Sequence, residues 1–446
     1  MALNNIKPPS AADVAAMWQA SGLKNKIIFT FLMVVAFRFG AQIPIYGINN
    51  TIFQNIAAGN NIIGFLDLFS GGALGKVSMF ALGIGPYITA QIIIQLLAVV
   101  IPSLEKLQKE EGEAGRRKLA QYTRIFTVFL AVFQSIVFMV FMSHLHGALL
   151  PGVSPAMFYI SSITALTAGS VLVMWISELI TEHGIGNGGS LIIFVGIISG
   201  IPLYSQRTSE LITQDPSLQF GLLALLTIFF ATMVLIVIMQ EAMRKVIIVN
   251  PKRQVGNKVY GGVNTYIPFK LNPGGVMPII FAIAILLFPS TILSVLGQAN
   301  LPGSIGTFVL ALNKIFSPSG ATYYIIYFLM IVFLTFFYAS IMPNMQPKEI
   351  ANNLKKYGSS IPGIKPGKPT ADALDKILSR VTFIGALALG MIALVPSFTS
   401  YLTKITTVQG IGATSLIIMV GVALDLINQV RTHLLAKNYE SFLKDK

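Results

Sequence analysis

The sequence predicts an all-α integral membrane protein: ten transmembrane helices in two inverted five-helix halves, with a short re-entrant helix near the start of the second span. Three observations predict this. The 446 residues are 54% hydrophobic and only 11% charged, with a mean hydropathy of +0.73. Soluble domains carry about 25% charged residues, so this chain has too few charges to coat a water-facing surface. The basic residues fall almost entirely on one side of the apolar segments. Two short motifs recur five apolar segments apart.

A bilayer core about 30 Å thick takes roughly 20 apolar residues per helix. Ten segments qualify, at about 26–45, 77–101, 122–143, 155–179, 188–203, 218–240, 273–295, 320–342, 379–398 and 410–430. The first follows Lys24 and Lys26 in the manner of a signal peptide. Arg38 interrupts it and no small-residue cleavage site follows, so it is read as a retained span. Of the 31 Lys and Arg, 26 fall in segments facing one side, and only Arg207, Lys314 and Lys404 face the other. The positive-inside rule makes the first side cytoplasmic, and ten spans put both termini there. The expected organisation is a half at 1–202, an external loop at 203–217, and a second half at 218–446.

Two cytoplasmic loops are long and basic. The 241–272 loop carries Arg244, Lys245, Lys252, Arg253, Lys258 and Lys270, with Val246–Val249 and Asn250-Pro251 reading as a strand that ends in a turn. The 343–380 loop carries Lys355, Lys356, Lys365 and Lys368 and two Pro-Gly steps. Topology and anionic lipids alone explain basic charge. Loops of this length point further, to docking of a cytoplasmic partner or of a phosphate-bearing ribosome.

Signals for catalysis fail on inspection. The run Gly184-Ile185-Gly186-Asn187-Gly188-Gly189 matches a dinucleotide fingerprint but follows an apolar helix rather than a strand. The run Gly71–Val77 resembles a phosphate loop but has Ser70 for its first glycine and Val77 for its Mg-binding hydroxyl. There are no Cys and four His, so no cofactor or metal is expected. Arg38, Asp67, Lys76, Glu178, Glu241 and Asp425 lie within or at the edge of spans; end effects such as snorkelling and capping account for most of them.

The segment Ile62–Ser70 is apolar but nine residues long, and Gly71-Gly72 breaks it from the next span. It is too short to cross and too apolar for water, so it is read as a re-entrant helix inside a cavity, the alternative being an amphipathic helix lying on the membrane surface. The halves echo each other. Gly83-x-x-Pro86-x-Ile88 in span two matches Gly275-x-x-Pro278-x-Ile280 in span seven. Ser190-Leu191-Ile192-Ile193 in span five matches Ser415-Leu416-Ile417-Ile418 in span ten. An odd offset runs the paired spans in opposite directions, so the repeat is inverted, and such repeats place a site at their interface. The residues put there are Ile88, Ile193, Ile280 and Ile418. A solute site needs polar groups; uncharged branched side chains suit a hydrophobic constriction that gates by dewetting.

Several runs carry a resemblance: Phe69-Ser70-Gly71-Gly72-Ala73-Leu74, Phe80–Ile84 with Pro86-Tyr87-Ile88, Ile92–Leu97, Gly115-Arg116-Arg117-Lys118 with Gln121–Arg124, Gly184–Gly188 and Pro362-Gly363-Ile364. The chain resembles bacterial SecY, the channel subunit of the Sec protein translocase, from its first span to its last. The resemblance implies an hourglass pore between the two halves in the bacterial plasma (inner) membrane. The segment 61–71 would be a plug made by Ile62, Ile63, Phe65, Leu66, Asp67, Leu68 and Phe69. The pore ring would be Ile84, Ile88, Gly189, Ile193, Ile280 and Ile418. Gln95 and Asn187 would lie near a lateral gate. The basic loops would dock a SecA ATPase and the ribosome, through Arg244, Lys245, Lys252, Arg253, Lys258, Lys355, Lys356, Lys365 and Lys368. SecE and SecG would be partner subunits, unfolded secretory and membrane-protein chains the cargo, and anionic lipids the surroundings. The expected activity is protein conduction without catalysis by the chain itself; the alternative is a secondary transporter for a small solute. The family's ring usually has a bulky residue at Gly189 and its last basic loop an Arg at Lys365, and Lys does not form the bidentate contacts of Arg.

Overall fold

The computed structural model describes residues 22–48, 67, 70–109, 112–143, 154–215, 218–255, 258–261, 264–298, 303–316, 320–341, 346–403 and 413–444. Thirteen helices and four strands are formed among them. They are α1 Leu23–Gly40, α2 Gly85–Val100, α3 Pro102–Lys109, α4 Gly112–Ser143, α5 Pro155–His183, α6 Gly188–Gln214 and α7 Gln219–Glu241. Strands β1 Met243–Ile248, β2 Lys252–Val255, β3 Lys258–Gly261 and β4 Thr265–Lys270 follow. The chain ends with α8 Met277–Gln298, α9 Gly303–Phe316, α10 Ala321–Ile341, α11 Pro347–Tyr357, α12 Lys368–Thr403 and α13 Ala413–Lys444.

Each of the ten apolar segments carries a helix. Among the described residues seven helices are long and apolar enough to cross a membrane, or eight if α2 and α3, bent by 107° where they meet, form one broken span. Helix α1 falls outside that set: it is 18 residues long and holds Lys24, Lys26 and Arg38.

The boundaries differ from expectation for identifiable reasons. The second span was expected from residue 77, but the helix starts at Gly85, because residues 71–84 fold as successive turns. Conversely α4, α12 and α13 run past the apolar stretches, to Gly112, Lys368 and Lys444. Those extensions are rich in Lys, Arg, Glu and Gln, which are good helix formers in water. Helix α9 lies in a stretch read as an external loop, and α11 in one read as a cytoplasmic loop.

The chain divides into two compact units. The first comprises Met1–Val100, Arg117–Gln206 and Ile418–Lys446; the second comprises Ile101–Arg116 and Arg207–Ile417. The division after Gln206 falls inside the expected 203–217 loop, while Ile101–Arg116 and the last helix from Ile418 each belong with the unit opposite to their place in sequence. In that stretch α6 continues as helix to Gln214.

In the first unit α1 packs on α5, and α2 also meets α5. The chain leaving α1 pairs briefly with the turn segment, through an isolated bridge between Pro44 and Ser78. In the second unit α12 packs against α7, α10 and α11, and α8 against α9 and α10. Strands β1 and β4 pair antiparallel, Met243 opposite Lys270 and Ile248 opposite Thr265. Strands β2 and β3 pair antiparallel as a separate two-stranded sheet, Lys252 opposite Gly261 and Val255 opposite Lys258. The strand expected at Val246–Val249 is thus formed, ending one residue earlier.

Candidate functional site

The repeated motifs adopt matching local structure. Gly83 and Gly275 both have positive φ, +54° and +59°. An L side chain is strained there, so glycine lets the chain reverse just before each helix. Pro86 and Pro278 are then the second residues of α2 and α8. At that position the missing N–H would have had no partner within the helix, so proline is well tolerated. Ile88 and Ile280 become the fourth residues of their helices. In the second pair, Ser190 and Ser415 are third and Ile193 and Ile418 sixth in α6 and α13.

Within the first unit, Ile84 and Ile88 are joined by the Ile88 N–H donating to the Ile84 carbonyl at 3.1 Å, one helical turn apart on one face. Gly189 and Ile193 share a face of α6 by the same spacing. A Cβ on Gly189 would stand 3.5 Å from Ile84 Cδ1, ordinary contact distance. The structure therefore brings Gly189 and Ile84 together, and the Ile84 side chain lies against the position where the resemblance leads one to expect a bulky residue. Ile418 is fully buried in this unit, and Ile280 is 3% exposed in the second. Gln95 is half-buried on α2.

Asn187 is exposed, and it caps α6: its Oδ1 accepts the Ser190 N–H at 3.2 Å and its carbonyl the Leu191 N–H at 2.9 Å. The surrounding glycine-rich turn is tied to three helices. The Ile185 N–H donates to Thr30 on α1, Gly186 to Gln429 on α13, and Gly188 to Thr181 on α5, at 2.8–3.0 Å. Its amides are committed to side chains, so it cannot cradle a phosphate. The 71–77 run is committed likewise: Asp67 Oδ1 accepts the Gly75 N–H at 2.6 Å and Ser70 Oγ the Leu74 N–H at 2.9 Å. A carboxylate stands where a phosphate would have to sit.

Of the expected plug residues, Asp67 is described; Ile62, Ile63, Phe65, Leu66, Leu68 and Phe69 lie outside the described residues. The Gly71 turn is held by Arg38, from the last turn of α1. Arg38 Nη1 donates to the Gly71 carbonyl at 2.5 Å and to Ser199 Oγ at 2.9 Å. Snorkelling or capping at span ends was the expectation for such charges, and three other groups have partners of their own. Asp67 holds a turn, Glu178 accepts from Arg124 Nε at 2.9 Å, and Lys76 donates to Gln42. The Arg38 partners are 33 and 161 residues away, so no local signal marked them.

In the second unit the two basic loops are one body. Val246, Phe269, Ile361, Leu374 and Leu378 form a buried apolar cluster, with Ile267, Ile350, Leu354, Ile364 and Ile377 packed around it. Val249 and Ser360 exchange both backbone hydrogen bonds, at 2.9 and 3.1 Å. The Ser359 hydroxyl donates to Asn250 Oδ1 at 2.8 Å. Around this core Arg244, Lys245, Lys355, Lys356, Lys365 and Lys368 are exposed, with the Lys245 ammonium 5.0 Å from the Tyr266 ring centroid. Lys252 and Arg253 lie on β2 and Lys258 on β3. The arrangement is a folded platform with a cationic rim.

Comparison with known proteins then decides the family. The SecY family model matches residues 78–427. The chain belongs to the SecY family. A protein translocase subunit SecY of Synechococcus elongatus is 46% identical, with all of both chains covered. The SecY of Synechocystis is 42% identical over all of both chains, and that of Thermotoga maritima 40% identical over 96% of this chain and 98% of its own. A solved structure described as a protein conducting channel superposes with a TM-score of 0.66 at 18% identity, covering 92% of each chain. Sec61 of the canine ribosome-channel complex from the endoplasmic reticulum gives 0.60 at 16% identity, again covering 92% of each. At these identities the structures show a shared fold, and the SecY relatives show the descent.

Proposed function

We infer that this chain is the protein-conducting channel of a general secretory pathway, passing unfolded polypeptides across the membrane and releasing apolar segments sideways into lipid. The observation that carries the reading is full-length relationship to proteins named translocase subunit SecY. The finer picture is ten spans in a bacterial inner membrane with both termini cytoplasmic. Ile84, Ile88, Gly189, Ile193, Ile280 and Ile418 form the constriction, and residues 61–71 the plug. Matched helix positions of the paired isoleucines support an inverted repeat around that constriction. Gln95 and Asn187 flank the lateral gate. The cationic platform receives a SecA ATPase or a ribosome, and SecE and SecG complete the complex. The chain supplies a path and its partners supply the work. A small-solute transporter is disfavoured because the constriction positions are isoleucines and a glycine, with no hydrogen-bonding side chain to replace a solute's hydration.

The test is cross-linking. A secretory chain stalled in transit and carrying one cysteine is expected to form disulfides with cysteines placed at Ile88 and Ile280. Absence of both adducts, with translocation intact, removes the pore assignment.

A further inference from the structure

By its place in sequence α13 falls in the second half, yet from Ile418 onward it belongs to the first unit. Two of its side chains meet that unit at the glycine-rich turn ahead of α6. The Gly186 N–H donates to Gln429 Oε1 at 2.8 Å. Gly186 has φ +88°, and a Cβ on it would stand 2.7 Å from Leu426 Cδ2, so Leu426 seats directly on bare backbone. Leu426 and Gln429 are three residues apart and share a face of α13. Ile418 lies eleven residues before Gln429, close to three full turns, and shares that face too.

The turn is itself a fixed post. Thr30 on α1 accepts the Ile185 N–H at 3.0 Å, while its hydroxyl donates to the Lys26 carbonyl at 2.8 Å. Thr181 on α5 accepts the Gly188 N–H at 2.9 Å and donates to the Ser177 carbonyl at 2.9 Å. Each hydroxyl is thus aimed by its own helix, which leaves the turn little freedom. Helix α6 starts at once beyond it, with Gly189 second and Ile193 sixth. The route from Gln429 to Ile193 therefore crosses one hydrogen bond and one short, pinned stretch of backbone. Helices α6 and α13 are also the two that carry the matched Ser-Leu-Ile-Ile runs. We propose that Gln429 is a positioning residue: it fastens α13 to the turn that starts α6, so that these two repeat-related helices keep one spacing both at rest and with a polypeptide in transit. The proposal rests on the channel reading and adds to it which of the pore helices travel together.

The experiment measures distances between pairs of spin labels by pulsed electron paramagnetic resonance in the complete, reconstituted translocase. The chain has no cysteine, so labels attach only where one is introduced. Ile198→Cys on α6 and Ile427→Cys on α13, both exposed, report the proposed pair. Phe31→Cys on α1 and Ile160→Cys on α5, also exposed, report a control pair in the same unit. The α6–α13 distance distribution is expected to be the same at rest and with a secretory chain stalled in transit. Gln429→Leu is expected to raise the population outside the wild-type distance about fivefold, the factor for losing one neutral hydrogen bond, and to leave the control pair unchanged. Gln429→Glu keeps an acceptor oxygen for the Gly186 N–H and is expected to restore the wild-type distribution. A shift in the wild-type α6–α13 distance on stalling overturns the proposal. So does an unchanged distribution in Gln429→Leu, or failure of Gln429→Glu to restore it. Equal broadening of the control pair assigns Gln429 to general stability and overturns the proposal as well. Should Gln429→Leu fail to assemble, the comparison of resting and stalled wild type decides alone. The channel reading stands or falls separately, on the adducts at Ile88 and Ile280.

Discussion

Asn187 shows how a residue chosen for one reason holds its place for another. The family resemblance put it beside the lateral gate; its geometry makes it the N-cap of α6. An N-cap removed to Ala costs about 1 kcal/mol. Asn187→Ala is therefore expected to lower the melting temperature of the detergent-solubilised chain by roughly 2 °C, with Asn187→Ser recovering most of it. Equal stability of the Ala and wild-type proteins would remove the capping role. The paired isoleucines were legible in sequence because a four-residue motif reports its own local conformation. The Arg38 contacts were not, since a hydrogen bond between residues 161 apart leaves no trace in spacing. The close approach of Ile84 to Gly189 was equally hidden: the absent side chain shows as a departure from family pattern, while its covering comes from another helix.

At the scale of elements, hydropathy located every long apolar helix and missed what lies in the loops. The two basic loops read as separate because each contributes too few apolar residues for a periodic signal. Val246 and Phe269 come from one, Ile361, Leu374 and Leu378 from the other, and their cluster exists only after the two are folded together. Leu374 is fully buried there. Leu374→Ala is expected to destabilise the platform by about 2–5 kcal/mol, the usual cost of a buried Leu→Ala change. Limited proteolysis in the 241–272 region checks this: cleavage should accelerate, with the apolar helices still protected. Unchanged cleavage would mean that the loops hold without their shared core. Partner binding in the variant is expected to weaken, because the lysines on α11 and at the start of α12 depend on that core for their spacing.

For the whole molecule, the charge asymmetry carries the argument. The net charge is +14, and 26 of the 31 basic residues fall in segments expected on one side of the spans. In the second unit Arg244, Lys245, Lys355, Lys356, Lys365 and Lys368 are among those exposed around a folded core. Interactions between exposed charges are screened over about 10 Å at 0.1 M salt and about 3 Å at 1 M. Binding of a SecA-type ATPase or a ribosome to the reconstituted chain is thus expected to weaken steadily over that range. Lys365→Glu and Lys368→Glu should weaken it further at low salt and little at high salt, as measured by co-sedimentation. Salt-independent binding would assign the platform to apolar contacts instead. By itself the sequence determined the membrane class, the apolar segments and the repeated Gly-Pro-Ile pattern, and its charge count predicts the sidedness. Each of these follows from properties that accumulate along the chain: apolar length, charge count and local periodicity. The tertiary structure alone decided where α2 begins, how the loops join, and which groups the isolated charges meet. Those outcomes depend on contacts between residues distant in sequence, where the cost of an unpaired polar group or an unfilled space is settled by neighbours that no local pattern names.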